Sequence, residues 1–282
     1  MSWINSDTIQ VPDSYVTPKE NHIRISNHPE AAKGVTPIQI IALNRPDKLG
    51  AITGEMLASL ISFFATVTVD DRVKVVIFTG TGRVFSAGID LKADASTVKN
   101  IPVRTVRDPG GTLALAMYNC SKTVIVAYNG MSVGIGMTST LAAAIRYGRI
   151  LSDGSPETDF LYRLAPAKAE FGFPFARIGL TMESCSSFFL PRMVGYSNAT
   201  YLLATGKRFP ADSKVLDGLF AELLPKPEDV LPRALELAED IIQNVSAMAI
   251  HLNRQLIWRN GGSAEVAHLT DSPLLADMFG GE

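Results

Sequence analysis

Residues 123–138 read TVIVAYNGMSVGIGMT. The run Thr123–Ala127 is apolar or β-branched throughout, the pattern of a strand buried on both faces. Asn129-Gly130 is a turn signal, and the small residues that follow predict a buried helix starting near Gly136. No charge occurs between Thr123 and Ile145, a length that would suit a membrane span. Asn129, Gly130, Ser132, Gly134, Gly136, Thr138 and Ser139 interrupt it, so strand, turn and buried helix is the reading taken. A dinucleotide fingerprint at Gly134 and Gly136 lacks its third glycine, since Ser139 stands there.

The same rhythm occurs upstream. IQIIAL (38–43) is a second buried strand, followed by the turn NRPDKLG (44–50). A helix is predicted after it, capped by Thr53, with Glu55 in its first turn and Leu57, Leu60, Ile61 and Phe64 on one face. VKVVIF (73–78) is a third strand, ending in TGTG (79–82). Strand and helix in alternation predict an α/β protein, compatible with a spiral or layered sheet as well as a doubly wound one. Residues 1–35 are polar and Pro-bearing and are expected to form a loosely ordered N-terminal extension, with order beginning near Pro37. The core is expected over 36–215. Strands are expected to stop near residue 215, leaving 216–282 as a helical C-terminal module with helices over 230–243 and 245–259.

Composition narrows the function classes. The chain has 282 residues, 46% hydrophobic and 19% charged, with 26 basic and 28 acidic side chains. Near-neutrality argues against a nucleic-acid partner. Two cysteines, Cys120 and Cys185, make no disulfide framework and no metal-ligand spacing. The first residues lack a basic segment followed by an apolar run, so an intracellular location is expected. MFGGE at the end is not a peroxisomal address. His22, His28, His251 and His268 lie outside the motif-bearing stretches and are expected at the surface, so a Ser-His-Asp hydrolase has no evident base.

Four segments in order, NRPDKLGAIT (44–53), VFSAGIDLK (84–92), AYNGMSVGIGMT (127–138) and EFGFPFARIGLTMESCSSFFLPRMVG (170–195), resemble the enoyl-CoA hydratase/isomerase, or crotonase, family. The resemblance runs from about residue 38 to about 260. It implies an α/β fold, a spiral of ββα repeats with a helical C-terminal module, assembled as a homotrimer or hexamer. It also implies an acyl-CoA substrate, no cofactor beyond the coenzyme A carried by that substrate, and a peroxisomal or mitochondrial setting. Its shared chemistry is an oxyanion hole, which by motif falls on the backbone N–H groups of Ile89 and Ile135. Taken singly, SAGID is equally a turn and VGIG a tight packing point.

Hydration in this family uses two glutamates, and neither is present. Thr138 and Phe175 stand at their positions, and neither side chain is a carboxylate base. Glu183, eight residues after Phe175, matches the single catalytic glutamate of the Δ3,Δ2-enoyl-CoA isomerases. Apolar neighbours Ile178, Leu180, Met182 and Phe188 would raise its pKa. Placement in the first turn of the helix that follows would lower it instead.

For the anionic CoA moiety, the resemblance implies Arg45, Lys48 and Lys92 as local cations, Leu49 on the adenine-contacting loop, and Ala87 offering its carbonyl. Ser86, Gly88, Asp90, Gly134 and Gly136 complete the expected substrate contacts. A lysine in this position is otherwise a solvated charge, and Met131, Met137 and Met182 are core filler or a pliable wall for an acyl chain. Two departures from the pattern are expected to matter. About a dozen residues within 152–167 look inserted, with Pro156 and Pro166 favouring a loop. The family continues past HLTDSPLLADMFGG with a helix over the CoA. Other crotonase reactions, or CoA binding without catalysis, are the alternatives to isomerisation.

Overall fold

The computed structural model describes residues 9–90, 92, 104–143, 149–150, 156–157, 163–260 and 262–280. The chain begins with strands β1 (Ile23–His28) and β2 (Ile38–Leu43), helix α1 (Gly54–Val69), strands β3 (Val75–Gly80) and β4 (Val84–Ser86), and helix α2 (Pro109–Asn119). Next come β5 (Thr123–Ala127), β6 (Met131–Val133), the one-turn α3 (Ile135–Thr138), and the short pair β7 (Arg149–Ile150) and β8 (Pro156–Glu157). The remainder is β9 (Arg163–Pro166), β10 (Glu170–Gly172), α4 (Ser186–Thr205), β11 (Arg208–Pro210), β12 (Glu222–Leu224), α5 (Val230–Asn244), α6 (Ala247–Trp258) and α7 (Ala264–Gly280).

Strands β1-β2-β3-β5-β9-β12 form a large sheet, and β11-β10-β6-β4 a small one. The units β3-β4-α2, β5-β6-α3 and β9-β10-α4 each give their first strand to the large sheet and their second to the small one. This is the spiral of ββα repeats that the sequence resemblance implies. From β2 to β12 the large sheet is parallel, which explains why β2, β3 and β5 read as largely apolar runs. In β3, Val76 and Phe78 face a core shared with α1 and α2. Val75 and Ile77 face the opposite side, against Ala234 and Ala238 of α5. Small residues on α5 let the helix lie close to the sheet.

Local signals in α1 act as read. The Thr53 side chain accepts the Met56 N–H, and Leu57, Leu60 and Phe64 are buried. The two sheets are joined by aromatic rings in edge-on contact, from Phe64 and Phe78 through Phe85 and Tyr128 to Phe171. No helix among the described residues is long and apolar enough to cross a membrane.

Four sequence expectations need correction. Order begins well before Pro37: β1 pairs antiparallel with β2 along its whole length, and the Tyr15 hydroxyl donates to Asp70 at 3.0 Å. Its period-2 pattern, with Ile23 and Ile25 inward, is short and lies in a polar setting, so composition hid it. Strands do not stop at 215 either, because β12 adds to the large sheet beside β9. The span 152–167 is not wholly an added loop: β9 is an interior strand between β5 and β12. Its Arg163 is fully buried and donates to the carbonyls of Leu219 and Leu141 at 3.2 and 3.1 Å. Most of 151–162 lies outside the described residues. Finally, His251 is half-buried, not at the surface.

Candidate active site

Four stretches far apart in sequence, 87–89, 108–110, 133–135 and 174–180, meet Glu183 around a pocket of about 370 Å³. Its apolar wall comes from Leu57, Val133, Phe175, Ile178 and Leu180.

Two backbone donors open onto this pocket. Ile52 forms a parallel bridge with Ile89: its N–H donates to the Gly88 carbonyl at 2.9 Å, and its carbonyl accepts the Asp90 N–H at 2.8 Å. Alternation along an extended strand then turns the Ile89 N–H away from Ile52. Ile135 is the first residue of α3, where an N–H has no partner inside the helix. Neither N–H has an acceptor among the described residues. The two segments abut. A Cβ on Gly88, at φ +99°, would lie 3.3 Å from the Val133 carbonyl oxygen.

Glu183 does not lie in the first turn of the following helix. It precedes α4, whose N-cap is Cys185, so the expected stabilisation by that helix end does not apply. Burial pushes its carboxyl above the usual carboxylate range. Hydroxyl donors Ser184 and Thr138 pull against this rise, and the charge of Asp108 adds to it. Ser184 donates to Oε2 and Thr138 to Oε1. The backbone is clasped as well: the Glu183 carbonyl accepts the Ser186 N–H at 3.0 Å and its hydroxyl at 2.5 Å. Ser184 and Cys185 both lie at φ +55°, a conformation costing about 1–2 kcal/mol per non-glycine residue.

The other expected residues divide into two groups. Ala87, Gly88 and Gly134 line the pocket with the donors. Ser86 and Gly136 belong to the frame behind it. Ser86 is fully buried, its hydroxyl donating to the Gly50 carbonyl and accepting the Gly88 N–H, and a Cβ on Gly136 would run into Ser86. Arg45 donates to the Ala51 carbonyl at 2.8 Å and to Asp90 at 2.9 Å, an ion pair that braces this loop. Lys48 and Lys92 are exposed. Leu49, next to Lys48, takes the Ala87 N–H on its carbonyl at 2.8 Å, which sets this loop beside the pocket.

Sequence reading missed Asp108, Gly110 and Ser184. Asp108 caps α2 by accepting the Gly111 N–H at 2.5 Å, and the same oxygen accepts the Ser184 N–H at 3.3 Å. An Asp-Pro start was the available signal for that cap. Gly110 packs face-on against the base, so a Cβ there would meet Ser184 Oγ and Glu183 Oε2. Alanine is otherwise the better helix former. Gly110→Ala is nevertheless expected to lower the thermal midpoint, because the overpacking outweighs the gain in helix propensity, and to lower turnover by about 10²-fold through displacement of the carboxyl. Unchanged turnover would show that the carboxyl has room to move without loss.

Two open N–H donors and a desolvated carboxyl around one apolar pocket are the equipment of an enzyme that stabilises an enolate-like oxyanion while moving a proton. The chain belongs to the enoyl-CoA hydratase/isomerase family, whose description matches residues 38–257. It is 40% identical to the enoyl-CoA hydratase ACTT3 of Alternaria alternata, over 86% of this chain and 76% of that one. It is 31% identical to a probable peroxisomal enoyl-CoA hydratase 1 of Arabidopsis thaliana, over 76% of this chain and 73% of the other. Among solved structures, a putative enoyl-CoA hydratase from Streptomyces coelicolor superposes with a TM-score of 0.76 at 25% identity, covering 96% and 91% of the two chains.

Proposed function

We propose that this protein moves the double bond of a 3-enoyl-CoA thioester to the 2-trans position, with Glu183 as the only proton carrier. Glu183 takes a proton from C2 while the thioester oxygen gains negative charge, and the N–H groups of Ile89 and Ile135 hold that charge as a dienolate. Glu183-H then returns the proton to C4, and the electrons settle between C2 and C3. The observation that carries this reading is the desolvated Glu183 carboxyl on the wall of the pocket that Ile89 and Ile135 also line, with Thr138 and Phe175 at the positions where the resemblance implies acids in a hydratase. An apolar wall suits the acyl chain, and exposed Lys48 and Lys92 suit the phosphates of CoA.

Hydration of a 2-enoyl-CoA is the second reading. It is favoured by Asp108, a second carboxyl on the pocket wall, and by relatives named as hydratases. Against it stands the engagement of Asp108 Oδ1 by two backbone donors. Parallel incubation with a 3-enoyl-CoA and a 2-enoyl-CoA, with products separated by chromatography, distinguishes them. Conversion of the first substrate to the 2-enoyl thioester is expected. Formation of a 3-hydroxyacyl-CoA from the second, at the faster rate, would replace isomerisation with hydration.

A further inference from the structure

We infer that Thr138 and Ser184 are positioning residues, a pair of hydroxyls that hold one oxygen each of the Glu183 carboxyl and thereby set both its aim and the pH at which it works. This rests on the proposal that Glu183 is the proton carrier.

Thr138 closes the same single turn that Ile135 opens. The oxyanion donor and the hydroxyl on the base therefore hang from one rigid piece of backbone, and their separation does not depend on loop motion. Ser184 holds the other oxygen from the turn that carries Glu183 itself, and its own N–H is tied to Asp108. With each oxygen keeping its second lone pair, the carboxyl plane is fixed while proton-accepting positions stay open.

Thr138 has a second acceptor in reach. Its Oγ1 lies 3.1 Å from the Gly134 carbonyl, which also takes the N–H groups of Met137 and Thr138 at 2.9 Å. One hydroxyl proton cannot serve both acceptors at once. When Glu183 is ionised, the proton points to Oε1, where a hydrogen bond to a charge is strongest. When Glu183 carries the substrate's proton, the hydroxyl can turn to Gly134 and leave Oε1 free. The clamp thus fits both protonation states of a group that must act as base and then as acid.

Asp108 at the start of α2 and Cys185 in the turn of Glu183 itself are the titratable groups facing the carboxyl among the described residues. The repulsion from Asp108 persists when either hydroxyl is removed. Loss of a donor to the ionised form therefore moves the titration of Glu183 upward.

The test compares Thr138→Val, Thr138→Ser and Ser184→Ala with the parent. One readout is the pH profile of kcat/KM. The other, without substrate, is infrared titration of the Glu183 carboxyl, assigned by difference against Glu183→Gln. Thr138→Val is expected to shift the acid limb to higher pH and to lower the rate on that limb on the order of tenfold, the size of one hydrogen bond to a charged group. Thr138→Ser is expected to restore both, and Ser184→Ala to move the limb in the same direction. A parental carboxyl titration in Thr138→Val, or a Thr138→Ser variant as impaired as Thr138→Val, would overturn the clamp. Should Thr138→Val fail to fold, the Ser184→Ala titration decides in the same way. A fully active Glu183→Gln would instead overturn the proton-carrier proposal, and the two failures are read separately.

Discussion

Glu183→Gln is expected to lower kcat on a 3-enoyl-CoA by about 10²–10⁴-fold, the usual contribution of a positioned acid-base group. Glutamine keeps the shape and its amide oxygen can still accept from one of the two hydroxyls, but it cannot take up and return a proton. CoA binding, measured by calorimetry, should be unchanged, because the exposed lysines and the loop carrying Leu49 are untouched. The pH dependence follows from the raised titration of Glu183. The base form is populated only above that raised value, so activity falls as pH falls through it. The acid limb of kcat/KM should lie above 4.5, the ordinary value for this side chain. An acid limb at or below that value, or an active glutamine variant, would remove Glu183 from the chemistry.

The second large effect is expected at Ile135. Proline is tolerated at the first position of a helix, and Ile135 occupies that position in α3. Its N–H has no acceptor among the described residues, so Ile135→Pro breaks no hydrogen bond seen there. Gly134, at φ +55° and ψ −131°, has no Cβ to clash with the proline ring. The substitution therefore deletes the N–H proposed as one oxyanion donor with the fold retained, and turnover should drop by about 10²–10³-fold. Ile135→Ala, which keeps the N–H and removes only side chain, should lose much less. Equal losses in the two variants would mean that the side chain, not the N–H, is what the site uses.

Much of the architecture was legible because it is written in local periodicity. IQIIAL and TVIVA are apolar at all but one residue each, Gln39 and Thr123, because both faces of the parallel sheet are covered. The α1 stripe and its Thr53 cap follow from the 3.6-residue repeat and from one side-chain acceptor. β1 and β12 were missed for the converse reason: β1 alternates apolar with polar residues in a polar stretch, β12 has only three residues, and both gain their order from a neighbouring strand. That Ile89 and Ile135 share one pocket was anticipated from motif order, because glycine-bracketed positions mark where two backbone segments approach closely.

Side-chain partnerships were a different matter. The pairing of Arg45 with Asp90, 45 residues away in sequence, was not readable from the sequence. Thr138 read as the loss of an acid, yet it is a hydroxyl donor to the acid that remains. The direction of the Glu183 titration turned on whether the residue stood inside the first turn of α4 or just before it, against an apolar wall. The amino-acid sequence by itself determined the α/β class, most of the core elements and the family, since periodicity and motif order are properties of neighbouring residues. Only the tertiary structure decided that Asp108, Gly110, Thr138 and Ser184 surround Glu183, because burial and hydrogen bonding depend on which distant segments the chain folds together.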